Sequence, residues 1–356
     1  MRAALSIGVV APLVAPLGVV QPYGNHIFLQ DLARGLAGRG HRVTLYAAEG
    51  SVAPGIALQP IRVAAAAQGS FLVLREHDRA QAAAMRQAFE ALFAKLRRAG
   101  HDVVSQHAFD REAIEAGAGV PVLHTLHLPP MRADVVDAVA RSADTFATVS
   151  ATAAASWQRA TGRLDLITLP NGVPPLATRP PEPRLPIAVV GGRISREKGV
   201  AEALRAARRA GLRAIVVGEI YDDDYFRREV VPELAGADLW PALPREAFRR
   251  LLERASVLLM PIAWDEPFGL VAAEAQLAGC PVAGYRRGAL PEVVAEPHGG
   301  CLAEPGDEDA LASAIRTALL LDGSAVRAQA QERFSMEACL DRYESVLRQI
   351  AATACA

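Results

Sequence analysis

The 356-residue sequence has almost no net charge, few cysteines and no long uninterrupted apolar run. Its formal net charge is -1, from 38 basic and 39 acidic residues, so no global field draws it toward nucleic acid or an anionic membrane. The four cysteines lack the C-x-x-C spacing of a zinc or redox site, which fits a reducing cytoplasm. No segment reaches the roughly 18 consecutive apolar residues that a membrane span needs. We therefore expect a soluble protein that binds any charged ligand locally.

The apolar start of the chain also lacks the features of a signal peptide. Residues Met1 to Val20 carry no basic region beyond Arg2, and Pro12 and Pro16 interrupt the apolar stretch. We interpret this segment as a buried first strand followed by a loop. The strand is not followed by G-x-G-x-x-G, the turn at which dinucleotides bind, so an NAD-dependent dehydrogenase is disfavoured.

Apolar runs that alternate with helical patterns predict two α/β domains, each with a parallel sheet covered on both faces. A chain of this length also favours two domains of similar size. The strands predicted in the first half are Leu5 to Val10, Val43 to Ala47, Asp102 to Ser105, Val122 to His127 and Phe146 to Ser150. A proline-rich stretch from Pro170 predicts the linker. The strands predicted beyond it are Ile187 to Val190, Ala214 to Val217, Val257 to Pro261 and Val282 to Gly284.

Helical patterns fill the intervals between these strands. The first predicted helix follows Asn25 and ends at Gly38. The other predicted helices span Val200 to Ala210, Tyr225 to Leu234, Arg245 to Glu253, Leu270 to Ala278 and Met336 to Ala351. We therefore predict two Rossmann-like domains, residues 1–170 and 171–335, and a C-terminal helical segment, 336–356, that packs back on the first domain.

A glycine-rich basic loop follows the first strand of the second half and opens a helix. It runs from Gly191 to Gly199 and contains Arg193 and Lys198. A diphosphate is bound by backbone N–H groups at a helix N-terminus and by cations that neutralise its oxygens, and this loop offers both. Lys198 is also one of only two lysines in a chain whose other basic residues are arginines. The loop predicts a diphosphate site, with a solvated basic turn as the alternative.

Two glutamates flank the start of a later helix. Glu266 falls in the loop at the carboxyl end of a strand, the ligand side of an open α/β sheet, and Glu274 falls one turn into the helix. A carboxylate accepts two hydrogen bonds at once, so each glutamate suits a vicinal diol of a sugar or a ribose. Backbone N–H groups of Phe268 to Leu270 lie between them. The alternative makes Glu266 a surface residue and Glu274 a helix charge, but apolar residues surround Glu274 in the sequence.

Paired carboxylates also suit a glycoside hydrolase, which needs an acid and a base or nucleophile on either side of the scissile bond. The spacing does not exclude this class. A hydrolase has no need of a diphosphate site, however, so the basic loop favours transfer from a nucleotide sugar.

The segment Gly192 to Gly199, together with the Glu-x7-Glu segment Glu266 to Glu274, resembles the donor site of retaining glycosyltransferases of family 4. The similarity continues in the segments Leu277 to Val282, Tyr285 to Val294, Asn171 to Val173 and Arg39 to His41. The segments Tyr221 to Phe226 and Tyr285 to Gly288 resemble a bacterial subgroup that includes avilamycin-type antibiotic glycosyltransferases and tetrahydrobiopterin glucosyltransferases. The resemblance implies the GT-B fold, in which two Rossmann-like domains face each other across a cleft. The first domain then binds the acceptor and the second the nucleotide-sugar donor.

The resemblance also implies roles for individual residues. Arg193 and Lys198 hold the diphosphate, Glu274 binds the ribose hydroxyls and Glu266 binds hydroxyls of the donor hexose. His127 resembles the histidine that reaches the donor sugar from the opposite domain. The implied catalytic residues are Glu266, His127, Arg193 and Lys198. The implied donor-binding residues are Gly24, Gly192, Arg193, Lys198, Phe268, Gly269, Leu270 and Glu274, and many relatives have a second glycine where this chain has Asn25.

No bound metal is expected from the remaining polar residues. His124 and His127 are three apart on a predicted strand and so point to opposite faces. The acidic run Asp222 to Asp224 could be mistaken for a set of metal-binding aspartates. It more simply caps the helix that follows. Asn25 and His107 are the candidates for contact with the acceptor, and a structural histidine is an equal alternative for His107.

Together, these observations predict a cytoplasmic, metal-independent enzyme that transfers a hexose from a UDP-sugar to a small-molecule acceptor. The resemblance implies glucose or a close relative, with retention of configuration and a leaving phosphate that helps to deprotonate the acceptor. A nucleotide-sugar epimerase or hydrolase and a non-catalytic sugar-nucleotide-binding protein are the alternatives. No nucleic acid or integral membrane association is expected. The identity of the acceptor and the formation of a homo-oligomer are left open.

Overall fold

The computed structural model describes residues 3–18, 24–69, 76–175 and 183–354. They divide into two compact units. The first runs from the N-terminus to Gly172 and resumes at Met336, and the second runs from Val173 to Ser335. The predicted end of the first domain, residue 170, lies two residues before the end of the first unit at Gly172. Residues 176–182, which are part of the proline-rich stretch, lie outside the described residues.

The first unit is built on a parallel sheet of seven strands. The strands are β1 (Ser6–Val10), β2 (Arg42–Ala48), β3 (Ala57–Ile61), β4 (Val103–Gln106), β5 (Val122–Leu126), β6 (Thr145–Thr148) and β7 (Ile167–Thr168). Their order across the sheet is β3-β2-β1-β4-β5-β6-β7. The order reverses direction between β1 and β4, so the loops after these two strands diverge and leave a crevice at the carboxyl edge.

Helices cover both faces of this sheet. They are α1 (Gly24–Gly38), α2 (Arg79–Ala99), α3 (Arg111–Ala116), α4 (Ala133–Arg141) and α5 (Ala151–Thr161). The longest, α2, begins with a capping box in which Asp78 accepts from the backbone of Gln81, and it ends at Gly100 in the left-handed conformation. Its apolar face, which includes Phe89 and Phe93, packs into a core with β1 and β4.

The second unit has a six-stranded parallel sheet in the order β10-β9-β8-β11-β12-β13. Its strands are β8 (Leu185–Gly191), β9 (Arg213–Val217), β10 (Asp238–Trp240), β11 (Ala255–Met260), β12 (Val282–Tyr285) and β13 (Gly300–Ala303). Its helices are α6 (Val200–Arg209), α7 (Asp223–Tyr225), α8 (Arg245–Arg254), α9 (Leu270–Leu277), α10 (Leu290–Val294), α11 (Glu308–Ala318) and α12 (Gly323–Phe334). The doubly wound α/β architecture predicted for both halves is therefore confirmed.

The last helix, α13 (Met336–Ala354), belongs to the first unit. Its buried Leu340, Tyr343 and Leu347 pack into the same core as α1. At the surface, Arg39 reaches three acidic side chains of α13. These are Glu337 at 2.5 Å, Asp341 at 2.7 Å and Glu344 at 3.2 Å.

Several elements differ from their predictions. The four strands that the sequence did not predict are β3, β7, β10 and β13, which are the edges of the two sheets. The helix predicted from Tyr225 to Leu234 is instead one α turn followed by a π turn (Phe226–Val230) and a 3-10 turn (Val231–Glu233). Pro232 within it lacks the N–H that a regular helix needs. The predicted acidic cap is confirmed, since Asp222 accepts from the backbone N–H of Tyr225 at 2.9 Å.

Candidate functional site

The basic loop of the second unit connects β8 to α6, as predicted. Gly192 has φ +131° and Gly199 has φ +66°, so both adopt backbone conformations that favour glycine. Gly199 is the N-cap of α6, so the loop delivers the chain directly to a helix N-terminus. That N-terminus carries a partial positive charge, which suits an anion, and the N–H of Ala201 in its first turn donates to the Tyr225 hydroxyl at 3.0 Å.

Internal contacts hold the charged side chains of this loop. The Arg193 guanidinium lies 4.8 Å from the centre of the Tyr221 ring and donates to Glu197 at 3.3 Å. Glu197 also accepts from the Ser195 hydroxyl at 2.6 Å. These contacts hold the Arg193 side chain in place but do not bury it, since the side chain is still 21% exposed to solvent. The arginine is therefore ordered and still accessible to an anion.

Lys198 and Glu266 come together although 68 residues separate them in the chain. The Lys198 ammonium donates to Glu266 Oε2 at 2.7 Å. Trp264 completes the group, since its indole N–H donates to the same oxygen at 3.0 Å and its ring lies 5.3 Å from the Lys198 nitrogen. The two loops meet because β8 and β11 are neighbouring parallel strands. The carboxyl edge of the sheet thus presents a cation and a carboxylate side by side.

The segment after Glu266 turns into α9 through Gly269, which has φ +88° and is the N-cap of that helix. The backbone carbonyl of Glu266 accepts from the N–H of Ala289 at 2.8 Å and so ties the turn to the loop after β12. The Phe268 side chain points into the core and meets the Phe334 ring edge to face at 5.8 Å. Phe268 can therefore serve a ligand through its backbone, which is the role that the resemblance implies for Phe268, Gly269 and Leu270.

Glu274 is almost fully buried in α9, at 4% exposure. Its Oε1 accepts from Arg245 Nε at 2.5 Å, and Arg245 is the first residue of α8. A buried carboxylate needs such a partner to remain charged. One oxygen of Glu274, Oε1, is thus engaged by Arg245.

Sequence reasoning did not identify Trp264 or Arg245. Trp264 had one signal, since it is one of three tryptophans and lies two residues before Glu266. Arg245 had none, because arginine is common in this chain and 29 residues separate it from Glu274. Only the packing of α8 beside α9 brings that pair together.

In the first unit, His127 lies just after β5 and is hydrogen-bonded to His107. The His127 Nε2 and His107 Nδ1 atoms are 2.9 Å apart, and the Ser105 hydroxyl is 2.8 Å from His107 Nε2. Burial lowers the pKa of His127 to about 3 and, with neighbouring histidines, holds the pKa of His107 well below its usual value. Burial likewise lowers the pKa of His26 to about 4. These imidazoles are neutral at physiological pH.

The two remaining predicted positions lie at the start of α1. Gly24 is its first residue and is exposed, and Asn25 follows it in the helix. Residues 19–23, which precede them after β1, lie outside the described residues. His107 is 1% exposed and has hydrogen bonds at both ring nitrogens, which is the environment of the structural alternative stated for it above.

One side-chain group of the first unit has the composition of a metal site. Ligand atoms of His77, Asp110 and Glu112 lie within 4.8 Å of one another. A cation is already present, however, because the Arg132 guanidinium is 3.8 Å from Asp110 and pairs with Asp134 at 2.6 Å. Burial raises the pKa of the Asp110 carboxyl to about 7. The guanidinium is thus hydrogen-bonded to Asp134, while Asp110 and Glu112 lie beside it as buried carboxyl groups.

Comparison with known proteins follows the same two-part division. Residues 24–175 match the family model for Glycosyltransferase Family 4, and residues 178–335 match the model for Glycosyl transferases group 1. D-inositol 3-phosphate glycosyltransferase of Segniliparus rotundus is 30% identical over 190 residues, or 47% of this chain. A glycogen synthase of Mycobacterium tuberculosis is 31% identical over 171 residues, or 44% of this chain. The matches span 41% of the length of each of these curated relatives.

Solved structures of similar fold cover nearly the whole chain. AviGT4, a glycosyltransferase involved in avilamycin A biosynthesis, has a TM-score of 0.73 at 22% identity and covers 98% of both chains. HepE of Anabaena in complex with UDP-glucose has a TM-score of 0.71 at 18% identity and covers 97% of this chain and 100% of that one. Within the described residues, no helix is long and apolar enough to cross a membrane. Two matched domains and a shared fold confirm the resemblance read from the sequence: the chain belongs to the GT-B glycosyltransferases of the family 4 type.

Proposed function

We propose that the protein transfers a hexose from a UDP-sugar to a small-molecule acceptor, with retention of configuration and without a metal ion. The observation that carries the proposal is the contact between Lys198 and Glu266 at 2.7 Å, beside the N-terminus of α6. One edge of the second sheet thus holds a group for phosphate next to a group for sugar hydroxyls. A nucleotide sugar has these two chemistries adjacent to each other.

Each side chain then has a defined task. Arg193 and Lys198, with the backbone N–H groups of α6, bind the diphosphate and stabilise the charge that develops on it as the glycosidic bond breaks. Glu266 accepts hydrogen bonds from hydroxyls of the hexose, and Glu274 binds the ribose through the oxygen that Arg245 leaves available. Two fixed cations and a helix N-terminus supply the positive charge that a metal would otherwise bring.

The other substrate elements are inferred from the relatives. Structures of HepE contain UDP-glucose or UDP with glucose, which supports a uridine nucleotide and a glucose-like sugar as the donor. His127 is the candidate of the first unit for contact with the donor sugar, and Gly24 for approach to its phosphates. We assign no side chain of the described residues as a nucleophile that attacks the sugar. Retention would then follow from a same-face transfer, in which the leaving phosphate takes the proton of the acceptor hydroxyl.

Calorimetric titration with a panel of nucleotide sugars, in buffer containing EDTA, tests the proposal. We expect micromolar binding of one UDP-hexose by the wild type. Lys198→Ala should lower turnover about 10²- to 10³-fold, the usual effect of losing one preorganised group that stabilises developing charge. Lys95→Ala is the matched control, since Lys95 is the other lysine and, among the described residues, its ammonium donates to the backbone carbonyl of Pro60 at the surface of the first unit.

The outcomes separate the competing functions. Release of free sugar or a changed sugar without any acceptor would indicate a hydrolase or an epimerase, and tight binding without turnover would indicate a sugar-nucleotide-binding protein. An inverted anomeric product, read by NMR, would refute retention. If no nucleotide sugar binds in EDTA and binding appears with Mg²⁺ or Mn²⁺, the metal-independent site is wrong; if none binds with either ion, the donor site itself is wrong.

A further inference from the structure

A chain of three buried polar side chains ends at His127. The Ser105 hydroxyl is 2.8 Å from His107 Nε2, and His107 Nδ1 is 2.9 Å from His127 Nε2. Ser105 is 0% exposed and His107 is 1% exposed, so bulk solvent does not reach their side chains. Within the described residues, these two bonds are the side-chain hydrogen bonds of the group, and His127 Nδ1 has no protein partner.

Aromatic rings hold the two imidazoles in place. The Phe28 ring contacts both, at 6.4 Å from the His107 centre and 5.8 Å from the His127 centre. Tyr343 of α13 stacks on His107 at 6.2 Å with an angle of 28°, and its hydroxyl donates to Thr125 at 3.4 Å. Both imidazoles thus pack against buried aromatic rings. Packing therefore fixes the ring planes, and the hydrogen bonds decide which nitrogens carry protons.

The proton positions follow from the Ser105 hydroxyl. A neutral imidazole has one N–H donor and one acceptor nitrogen, so the direction of one hydrogen bond sets the direction of the next. If Ser105 accepted from His107, its own proton would be buried without an acceptor, which costs about 1–3 kcal/mol. Ser105 therefore donates to His107 Nε2. His107 must then donate from Nδ1 to His127 Nε2, and the single proton of His127 lies on Nδ1.

We propose that His107 is a positioning residue that holds His127 as the Nδ1–H tautomer, so that His127 offers a hydrogen-bond donor to the hexose. The inference rests on the proposed function, because it takes His127 as a contact of the donor sugar. In this tautomer His127 donates a hydrogen bond to a hydroxyl or ring oxygen of the sugar. The carboxylate of Glu266, in contrast, can only accept hydrogen bonds from the sugar. His107 itself does not touch the substrate.

NMR of the wild-type protein labelled with ¹⁵N-histidine reads the tautomer directly. We expect two-bond correlations of His127 to show a protonated Nδ1 and no titration between pH 5 and 8. Ser105→Ala removes the hydroxyl that sets the direction and should convert His127 to a mixture of both tautomers. A wild-type His127 protonated on Nε2 overturns the inference, and so does an unchanged tautomer in Ser105→Ala.

A binding measurement tests the consequence for the ligand. UDP-glucose and UDP are titrated into the wild type and into His107→Leu, which removes the hydrogen bond to His127 but keeps an apolar side chain in the core. We expect affinity for UDP-glucose to fall about 3- to 10-fold, the effect of one neutral hydrogen bond, with affinity for UDP unchanged. His107→Asn places an amide near the position of Nδ1 and should restore part of the loss.

His101→Leu is the matched control. His101 is a half-buried histidine of the first unit, with hydrogen bonds of 2.9 Å to the Ser6 hydroxyl and to the Tyr46 hydroxyl. Its loss should lower stability without changing the ratio of the two affinities. An equal loss of that ratio in His101→Leu, or no loss in His107→Leu, overturns the positioning role. Failure of the wild type to bind either nucleotide would instead refute the proposed function, and the NMR result would then decide the tautomer alone.

Discussion

The exchange Glu274→Gln gives the sharpest test of the donor site. Glu274 is 4% exposed, with one oxygen 2.5 Å from Arg245 Nε. The amide keeps the shape of the side chain and can still accept from Arg245 through its oxygen. It removes the charge and replaces the second acceptor with an NH2 group. An alanine would leave a cavity and an unpaired arginine as well, and so would confound binding with stability.

The size of the effect follows from the bonds at stake. Hydrogen bonds to a charged group contribute about 1.5–3 kcal/mol, and a ribose diol donates to the carboxylate in our assignment. Loss of that contribution predicts a Kd for UDP about 10- to 100-fold higher than that of the wild type. The weakened pair with Arg245 should also lower the melting temperature, because a buried charge that loses its counter-ion is costly.

Isothermal titration with UDP measures the affinity, and thermal unfolding of the same samples measures the stability. Glu308→Gln is the control, since Glu308 pairs with Arg205 at 2.7 Å in the same unit and belongs to α11, not to the loop or the turn described above. We expect it to lose some stability and no affinity. Equal affinity for UDP in Glu274→Gln and the wild type would show that the ribose is not bound at this carboxylate, and an equal loss in Glu308→Gln would show a general effect of broken ion pairs.

Three further predictions concern the site and its pH dependence. Trp264→Phe removes the indole donor to Glu266 and should weaken binding of UDP-glucose several-fold while binding of UDP is unchanged, both read by calorimetry. Gly199→Ala forces a Cβ onto a backbone with φ +66° and against a carbonyl oxygen, so we expect lower stability by about 1–2 kcal/mol or more and loss of UDP binding. The folded pKa values of His26 and His127 are about 4 and about 3, below the ordinary 6.5. At these two histidines the unfolded chain binds more protons below pH 6.5, which lowers stability as pH drops from 6.5 toward 4 by up to about 1.4 kcal/mol per pH unit for each histidine. The Asp110 carboxyl, with a pKa of about 7 in the folded protein, offsets about one histidine over the same range, so stability should still fall. Urea unfolding at pH 7 and pH 5 checks this, and a midpoint unchanged by pH would contradict it.

The central strands were predictable and the edge strands were not. β1 and most of β8 and β11 are buried on both faces and therefore read as nearly continuous apolar runs. β3 has one fully buried residue and contains Pro60, while β7 has only two residues. An edge strand has one neighbour and less need of apolar side chains, so its local sequence carries little strand signal.

The site shows the same division between local and distant information. The loop from Gly191 to Gly199 and the turn at Gly269 lie within continuous segments, and their glycines, charges and flanking apolar runs identify them in the sequence. The partners of those charges lie elsewhere in the chain. Glu266 meets Lys198 and Trp264, and Glu274 meets Arg245, in ways that no spacing indicates.

The sequence by itself determined the two-part α/β architecture, the family and the candidate charged groups, because hydrophobic periodicity and motif spacing are local properties of the chain. Tertiary structure decided which charges pair, which carboxylate oxygen is left for a ligand, and how Ser105, His107 and His127 join into one chain of hydrogen bonds. The physical reason is that such bonds depend on positions to within about 0.3 Å and on burial. Both are set by the neighbours that parallel strands and packed helices bring together, often from distant parts of the sequence.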